Sequence, residues 1–162
     1  MRLSNLADYA VVLMSAAARH CGGTRTSAAT LAAETGLPQA TAHKLVHTLV
    51  RAGLLQSLRG QGGGVKLARP AAAISIADIV EAIEGPIALT TCVDHSRNDC
   101  VLEGSCRVRP HWGAVNGAVR GALAGISLAS LTVRPDPSGL PFLAGAPDHR
   151  GAAPASPIPA EF

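Results

Sequence analysis

Aromatic side chains are nearly absent from this chain: one Trp, one Tyr and two Phe in 162 residues. A core must therefore come from Ala, Val, Leu and Ile, which favours packed helices over an aromatic-rich β-sandwich. Long apolar runs are missing too, since none reaches the roughly 18 residues of a membrane-spanning helix. The stretch 10–18 has the length of a signal-peptide core, but Asp8 precedes it. Its strongest apolar positions, Leu3, Leu6, Ala10, Leu13 and Ala17, recur at helical spacing, so it reads as one face of a helix. The expected compartment is the cytoplasm, with no membrane partner. No nucleophile-base pair is evident, and the glycine cluster 60–64 lacks the lysine and serine of a phosphate-binding loop, so an enzyme is not expected. Acidic residues are scarce in the first 69 positions, where only Asp8 and Glu34 oppose eight Lys/Arg, a net of +6. The remaining positions sum to −3, from six positive and nine negative side chains. A basic half of this kind is the electrostatic footprint of a nucleic-acid binder.

Local signals divide the chain into short elements. A first helix is expected over 3–20, ending before Gly22 and Gly23. Ser27 can cap a short helix over 28–34, with Leu31 inward. Thr35, Gly36 and Leu37 make a tight turn, and Pro38 opens a helix that continues to about Ala52. Helix, short glycine turn and helix are the outline of a helix-turn-helix. Two extended segments, 54–59 and 65–69, then flank the glycine cluster and read as a hairpin, in the position of a wing. Ser75 caps an amphipathic helix with Ile76, Ile79, Val80 and Ile83 on one face. Residues 90–109 show no periodicity and read as a loop. From Pro110 to about Gly125 a helix resumes, with Trp112, Val115, Val119, Ala122 and Ile126 forming a narrow seam that suits pairing with a twin or packing on its own domain. Gly113, Gly117, Gly121 and Gly125 recur at every fourth position of that helix, which weakens it unless backbones approach closely there. Beyond Val133 lie seven of the eleven prolines, and a disordered tail is expected.

For duplex DNA, a recognition helix must project polar side chains from its N-terminal turn into the major groove, with cations over phosphates. The helix from Pro38 offers Gln39, Thr41, His43 and Lys44 there, while Ala42, Leu45 and Leu49 face inward. Gln39 and His43 are candidates for base edges, and Lys44 and Arg51 for the backbone. Arg59, at the tip of the glycine hairpin, is placed to enter the minor groove.

Four cysteines in a chain with this character point to metal or redox chemistry rather than a disulfide framework. Cys92, Cys100 and Cys106 share one loop, without the closely spaced pair of a structural zinc knuckle and without ferredoxin spacing. Three thiolates on a long loop can wrap an iron-sulfur cluster or act as a metal-free redox switch, and spacing does not separate the two. A cluster would need a further ligand, for which His111, His95, Asp94, Asp99 and Glu103 are nearby. Cys21, beside two glycines, stands outside the motif and is taken as structural.

Four motifs in register carry a family resemblance. They are Met1-Arg2-Leu3-Ser4-Asn5-Leu6-Ala7-Asp8-Tyr9-Ala10, the wing Leu58-Arg59-Gly60-Gln61-Gly62-Gly63-Gly64, the run Ile76-Ala77-Asp78-Ile79-Val80-Glu81-Ala82-Ile83-Glu84-Gly85, and the three-cysteine loop. Together they resemble the IscR/NsrR group of bacterial regulators, the Rrf2 family, over residues 1 to about 131. Residues 85–90 and 106–112 look like the branch that regulates the SUF iron-sulfur assembly genes. The resemblance implies a homodimeric winged-helix regulator of promoter DNA whose Cys92, Cys100 and Cys106 hold a [2Fe-2S] or [4Fe-4S] cluster. It also implies a fourth ligand, either Asp8 of the partner subunit or His111, although His111 lies farther beyond the third cysteine than is usual. Two departures matter: Val65 stands where the wing usually has an aromatic, and His43-Lys44 replaces an acidic-amide pair, so the operator sequence does not carry over.

The expected fold is thus mainly α with a small β wing. A winged helix-turn-helix domain over 1–86 leads to a cluster-binding loop over 87–109, a long dimerisation helix over 110–132 and a tail over 133–162. Two-fold symmetry would set palindromic half-sites about 34 Å apart.

Overall fold

The computed structural model describes residues 3–20, 25–58, 60, 63–93, 100 and 106–132. Six α-helices and a two-stranded antiparallel sheet follow in the order α1 (Asn5–Arg19), α2 (Ala28–Thr35), α3 (Gln39–Arg51), β1 (Leu55–Leu58), β2 (Gly64–Leu67), α4 (Ile76–Glu84), α5 (Arg109–Ala124) and α6 (Leu128–Thr132). Short 3-10 turns occupy Ala71–Ala73 and Thr91–Val93. This is the winged helix-turn-helix expected from the sequence.

The helix starts are set by local chemistry. Ser4, Ser27 and Ser75 each accept a hydrogen bond from a first-turn N–H, satisfying donors a helix cannot pair itself. At α4 the cap is reciprocal, because the Asp78 carboxylate accepts from the Ser75 N–H at 2.8 Å. Gly36, at φ 71°, turns the chain between α2 and α3 in the left-handed region, where a Cβ is disfavoured. The helix-turn-helix corner therefore depends on glycine at this position.

One core gathers the inner faces of these elements. Leu13 and Met14 of α1, Leu31 of α2, Leu45 and Leu49 of α3, Leu54 and Leu55, Val65, Ile74 and Ile79 are buried together. Small aliphatics carry the packing, as the shortage of aromatics requires. A second, smaller cluster joins Ala77 and Val80 of α4 to Ile87, with Val119 and Leu123 of α5 against them.

The structure departs from the expectations in four places. The segment expected as a loop around Thr26 forms an isolated antiparallel bridge to the wing: Thr26 and Val65 exchange two backbone bonds, of 3.1 and 2.7 Å, so the wing is anchored to the chain between α1 and α2. The helix expected from Pro110 to about Gly125 ends at Ala124 as expected, but the 110–132 span is not one continuous dimerisation helix: residues 126–128 pair with residues 74–76 before α6 returns to α1. Leu128 is wholly buried there, which explains why the chain turns back. Leu3 and Leu6, expected inward, are 40% and 36% exposed, because α1 first meets its neighbours at Ala7 and Ala10. On α5 the face toward its own domain is Asn116, Val119, Arg120 and Leu123, whereas Trp112, Val115 and Ile126 of the expected seam are exposed. The expected tail at 133–162 lies outside the described residues.

Candidate functional site

The helix-turn-helix presents one polar face. Ala42, Leu45, Val46 and Leu49 take α3 into the core, which leaves Gln39, His43, Lys44, His47 and Arg51 exposed and Thr41 half-buried. Helical spacing sorts the exposed residues into two neighbouring rows, Gln39-His43-His47 and Lys44-Arg51. Donors and acceptors thus lie beside cations on a single helix surface, the arrangement that reading a groove requires. Pro38 precedes the helix without a capping side chain, so the first-turn N–H groups of α3 are left free of a side-chain cap. Arg59 lies outside the described residues, as do Cys21 and the nearby candidate ligands Asp94, His95, Asp99 and Glu103.

The three loop cysteines are free and half-buried. Cys92 sits in the 3-10 turn that packs on α5, with its Sγ 3.1 Å from the Thr90 hydroxyl. It lines an open cleft of about 410 Å³ together with Arg109, Pro110, Gly113, Asn116 and Gly117. A Cβ added at Gly113 or Gly117 would meet nothing within 4 Å, so these glycines leave room beside the thiol. Cys106 lies three residues before the start of α5, and its thiol therefore belongs to the same end of that helix. Among the described residues, no group of three or more His, Cys, Asp or Glu side chains converges as a metal site. The donor chemistry nonetheless suits iron, because free thiols become soft thiolate ligands and one of them faces open space. Asp8 is exposed in the first turn of α1, and His111 is exposed in the first turn of α5.

A polar network joins this region to the DNA-reading domain, and the sequence reading missed it. Arg120 of α5 pairs with Glu81 of α4 through two bonds, of 2.8 and 3.0 Å. This pairing, aided by the Ile87 N–H and opposed by partial burial, holds the Glu81 carboxyl below its usual range. Asp78 is likewise lowered, first by the Ser75 backbone N–H and also by the Ser75 hydroxyl and Arg69, against partial burial. Asn116 binds the backbone of both Ile87 and Leu89. One clue was available: Arg120 is the sole Asp, Glu, Lys or Arg between Arg109 and Arg134. A single charge on an otherwise apolar helix has to find a partner or face water.

The fold and the polar face of α3 define a winged-helix transcriptional regulator. The chain belongs to the Rrf2 family, described as iron-dependent transcriptional regulators, whose profile matches residues 3–134. It is 36% identical over 124 residues to protein aau3 of Rhizobium meliloti, covering 76% of this chain and 75% of that one. Among solved structures it resembles CymR, the global cysteine regulator of B. subtilis, with a TM-score of 0.64 and 28% identity over 82% of this chain and 96% of that one. It also resembles IscR of T. potens, with a TM-score of 0.61 and 27% identity over 81% of this chain and 85% of that one. Among the described residues, no helix is long and apolar enough to cross a membrane.

Proposed function

We infer that this chain, as a homodimer, binds a palindromic promoter duplex and adjusts that binding to the state of an iron-sulfur cluster held by Cys92, Cys100 and Cys106. Gln39 and His43 meet base edges, with Thr41 beside them on the first turn of α3, Lys44 and Arg51 meet phosphates, and Arg59 of the wing enters the minor groove. The regulated genes are those of SUF-type iron-sulfur assembly, as the resemblance of residues 85–90 and 106–112 to that branch suggests. The observation that carries the reading is the seat of the Cys92 segment. Ile87 packs against α4 of the DNA-reading domain and against α5 at once, and Cys92 follows on the same strip of chain. A change at the thiols therefore acts on the contact between the two helices. When bound, the cluster supplies a ligation state that responds to iron supply and oxidation. The exposed Trp112 and Val115 of α5, Ile126 just beyond its end, and the open Gly113, Gly117 and Gly121 support the dimer. Asp8 of the partner subunit or His111 completes the ligand set, and the exposure of both leaves each able to reach a shared site.

Anaerobic purification tests this directly. A brown protein with iron and acid-labile sulfide is expected, with Mössbauer spectra giving the cluster type and Asp8→Ala and His111→Ala variants identifying the fourth ligand. A colourless protein after reconstitution refutes the cluster. A second reading keeps DNA binding but makes the cysteines a metal-free thiol switch, and the likeness to Staphylococcus aureus CymR, solved in an oxidized form, favours it. Promoter binding that responds to thiol oxidation in iron-free protein would select that reading.

A further inference from the structure

We propose that Asn116 is a positioning residue which, with the Glu81–Arg120 ion pair, clamps the Cys92 segment onto α5 and so ties the state of the thiols to the DNA-reading domain. The proposal rests on the regulatory reading above and adds the residues that would transmit it. The side-chain amide of Asn116 behaves as a neighbouring strand would. Its Nδ2 donates to the Ile87 carbonyl at 2.8 Å, and its Oδ1 accepts from the Leu89 N–H at 3.0 Å. The Ile87 N–H faces the Glu81 carboxylate and helps to lower it. Glu81 in turn receives Nε and Nη2 of Arg120, one helical turn beyond Asn116 on the same side of α5.

Residues 87–89 are thus held by two backbone bonds to one side chain of α5, with the Arg120–Glu81 pair tying α5 to α4 beside them. The Ile87 side chain sits between those helices, against Ala77 and Val80 on one side and Val119 and Leu123 on the other. This fixes where the chain leaves toward Cys92, which reaches the cleft beside Gly113 and Gly117, the α5 residues on either side of Asn116. An apolar side chain at 116 would fill similar space but leave the Ile87 carbonyl and the Leu89 N–H without that partner. The amide is therefore suited to hold the loop backbone rather than to stabilise α5 itself. A force that lifts Cys92 has to pass through the clamp, and Glu81 carries it into α4.

The test uses the full-length reduced protein. Alkylation by N-ethylmaleimide, resolved by peptide, reads the accessibility of Cys92, and promoter binding before and after alkylation reads the coupling. Asn116→Leu should speed Cys92 alkylation about tenfold, equivalent to about 1.4 kcal/mol and within the net worth of the two hydrogen bonds lost, with no larger loss of global stability in urea. The change in promoter affinity on alkylation should shrink in the same variant. Asn116→Asp keeps the acceptor for Leu89 and loses the donor to Ile87, so its rate should fall between. An unchanged Cys92 rate overturns the clamp. Should Asn116→Leu fail to fold, Arg120→Met replaces it, with the same acceleration expected and the same unchanged rate refuting the proposal. Parent protein whose promoter binding ignores alkylation overturns the regulatory reading and the coupling with it. The alkylation rates still decide the clamp in that case.

Discussion

Replacing Gly64 with alanine tests how the wing is held. A Cβ built at Gly64 falls 2.6 Å from the carbonyl oxygen of Thr26, whereas ordinary contact begins at 3.4 Å, so the two backbones must part by about 0.8 Å. The obstacle is backbone, and no rotamer can relieve it. That carbonyl accepts the Val65 N–H at 2.7 Å, and the Thr26 N–H returns a bond of 3.1 Å. Separation on this scale takes both bonds to the edge of useful geometry. At about 1 kcal/mol net for each bond, with a further penalty for unpaired groups at a residue that is 6% exposed, the loss is about 2–3 kcal/mol. For a domain of this size that corresponds to a drop of about 6–12 °C in Tm. Urea denaturation gives the first number and calorimetry the second, while hydrogen exchange at the Thr26 and Val65 amides should accelerate selectively. Gly60→Ala is the comparison: its φ of 102° is strained for alanine, yet nothing lies within 4 Å, so only the conformational cost of about 1 kcal/mol applies. A Gly64→Ala protein within about 0.5 kcal/mol of the parent would refute the reasoning, because the Thr26 bridge would then not be seated as described.

Gly121→Ala should strengthen α5 by about 1 kcal/mol in the monomer, where the new methyl meets nothing, and weaken the dimer if a second backbone approaches there. Urea denaturation reads the first effect and sedimentation equilibrium the second, and a dimer as tight as the parent's would show that the glycine row serves no close approach. Lys44→Ala should weaken promoter binding similarly for all sequences and lower the salt slope by about 1, whereas Gln39→Ala should relax sequence preference; a salt titration on matched and scrambled duplexes separates them. Asp78 and Glu81 both have carboxyl groups lowered by their partners, so their contribution to stability is complete above their ordinary values of 3.8 and 4.5 and disappears as pH falls through the lowered ones. Urea midpoints measured from about pH 6 to about pH 3 should therefore fall, and less steeply in Glu81→Gln.

The helix boundaries were legible because their causes are local. Ser27, Gly36 and Ser75 act on N–H groups and dihedrals within a few residues, and the apolar spacing of α3 and α4 marks their inner faces directly. The polar face of α3 followed by subtraction, since what α3 does not bury it must present. The clamp was not legible, because Asn116 meets Ile87 and Leu89 across more than 25 residues and Arg120 meets Glu81 across 39. Thr26 gave no strand signal for the same reason: its partner Val65 is remote in the chain.

By itself, then, the sequence determined the elements, the helix-turn-helix corner, the polar face of α3 and the set of free thiols, all through caps, periodicity and residue chemistry over short distances. The tertiary structure decided which face of α5 its own domain takes, that α6 returns to bury Leu128 against the core, and that Ile87 lies between α4 and α5 while the Cys92 turn packs on α5. Those outcomes depend on which remote surfaces can be buried together, and burial is a property of the packed whole rather than of any window of residues.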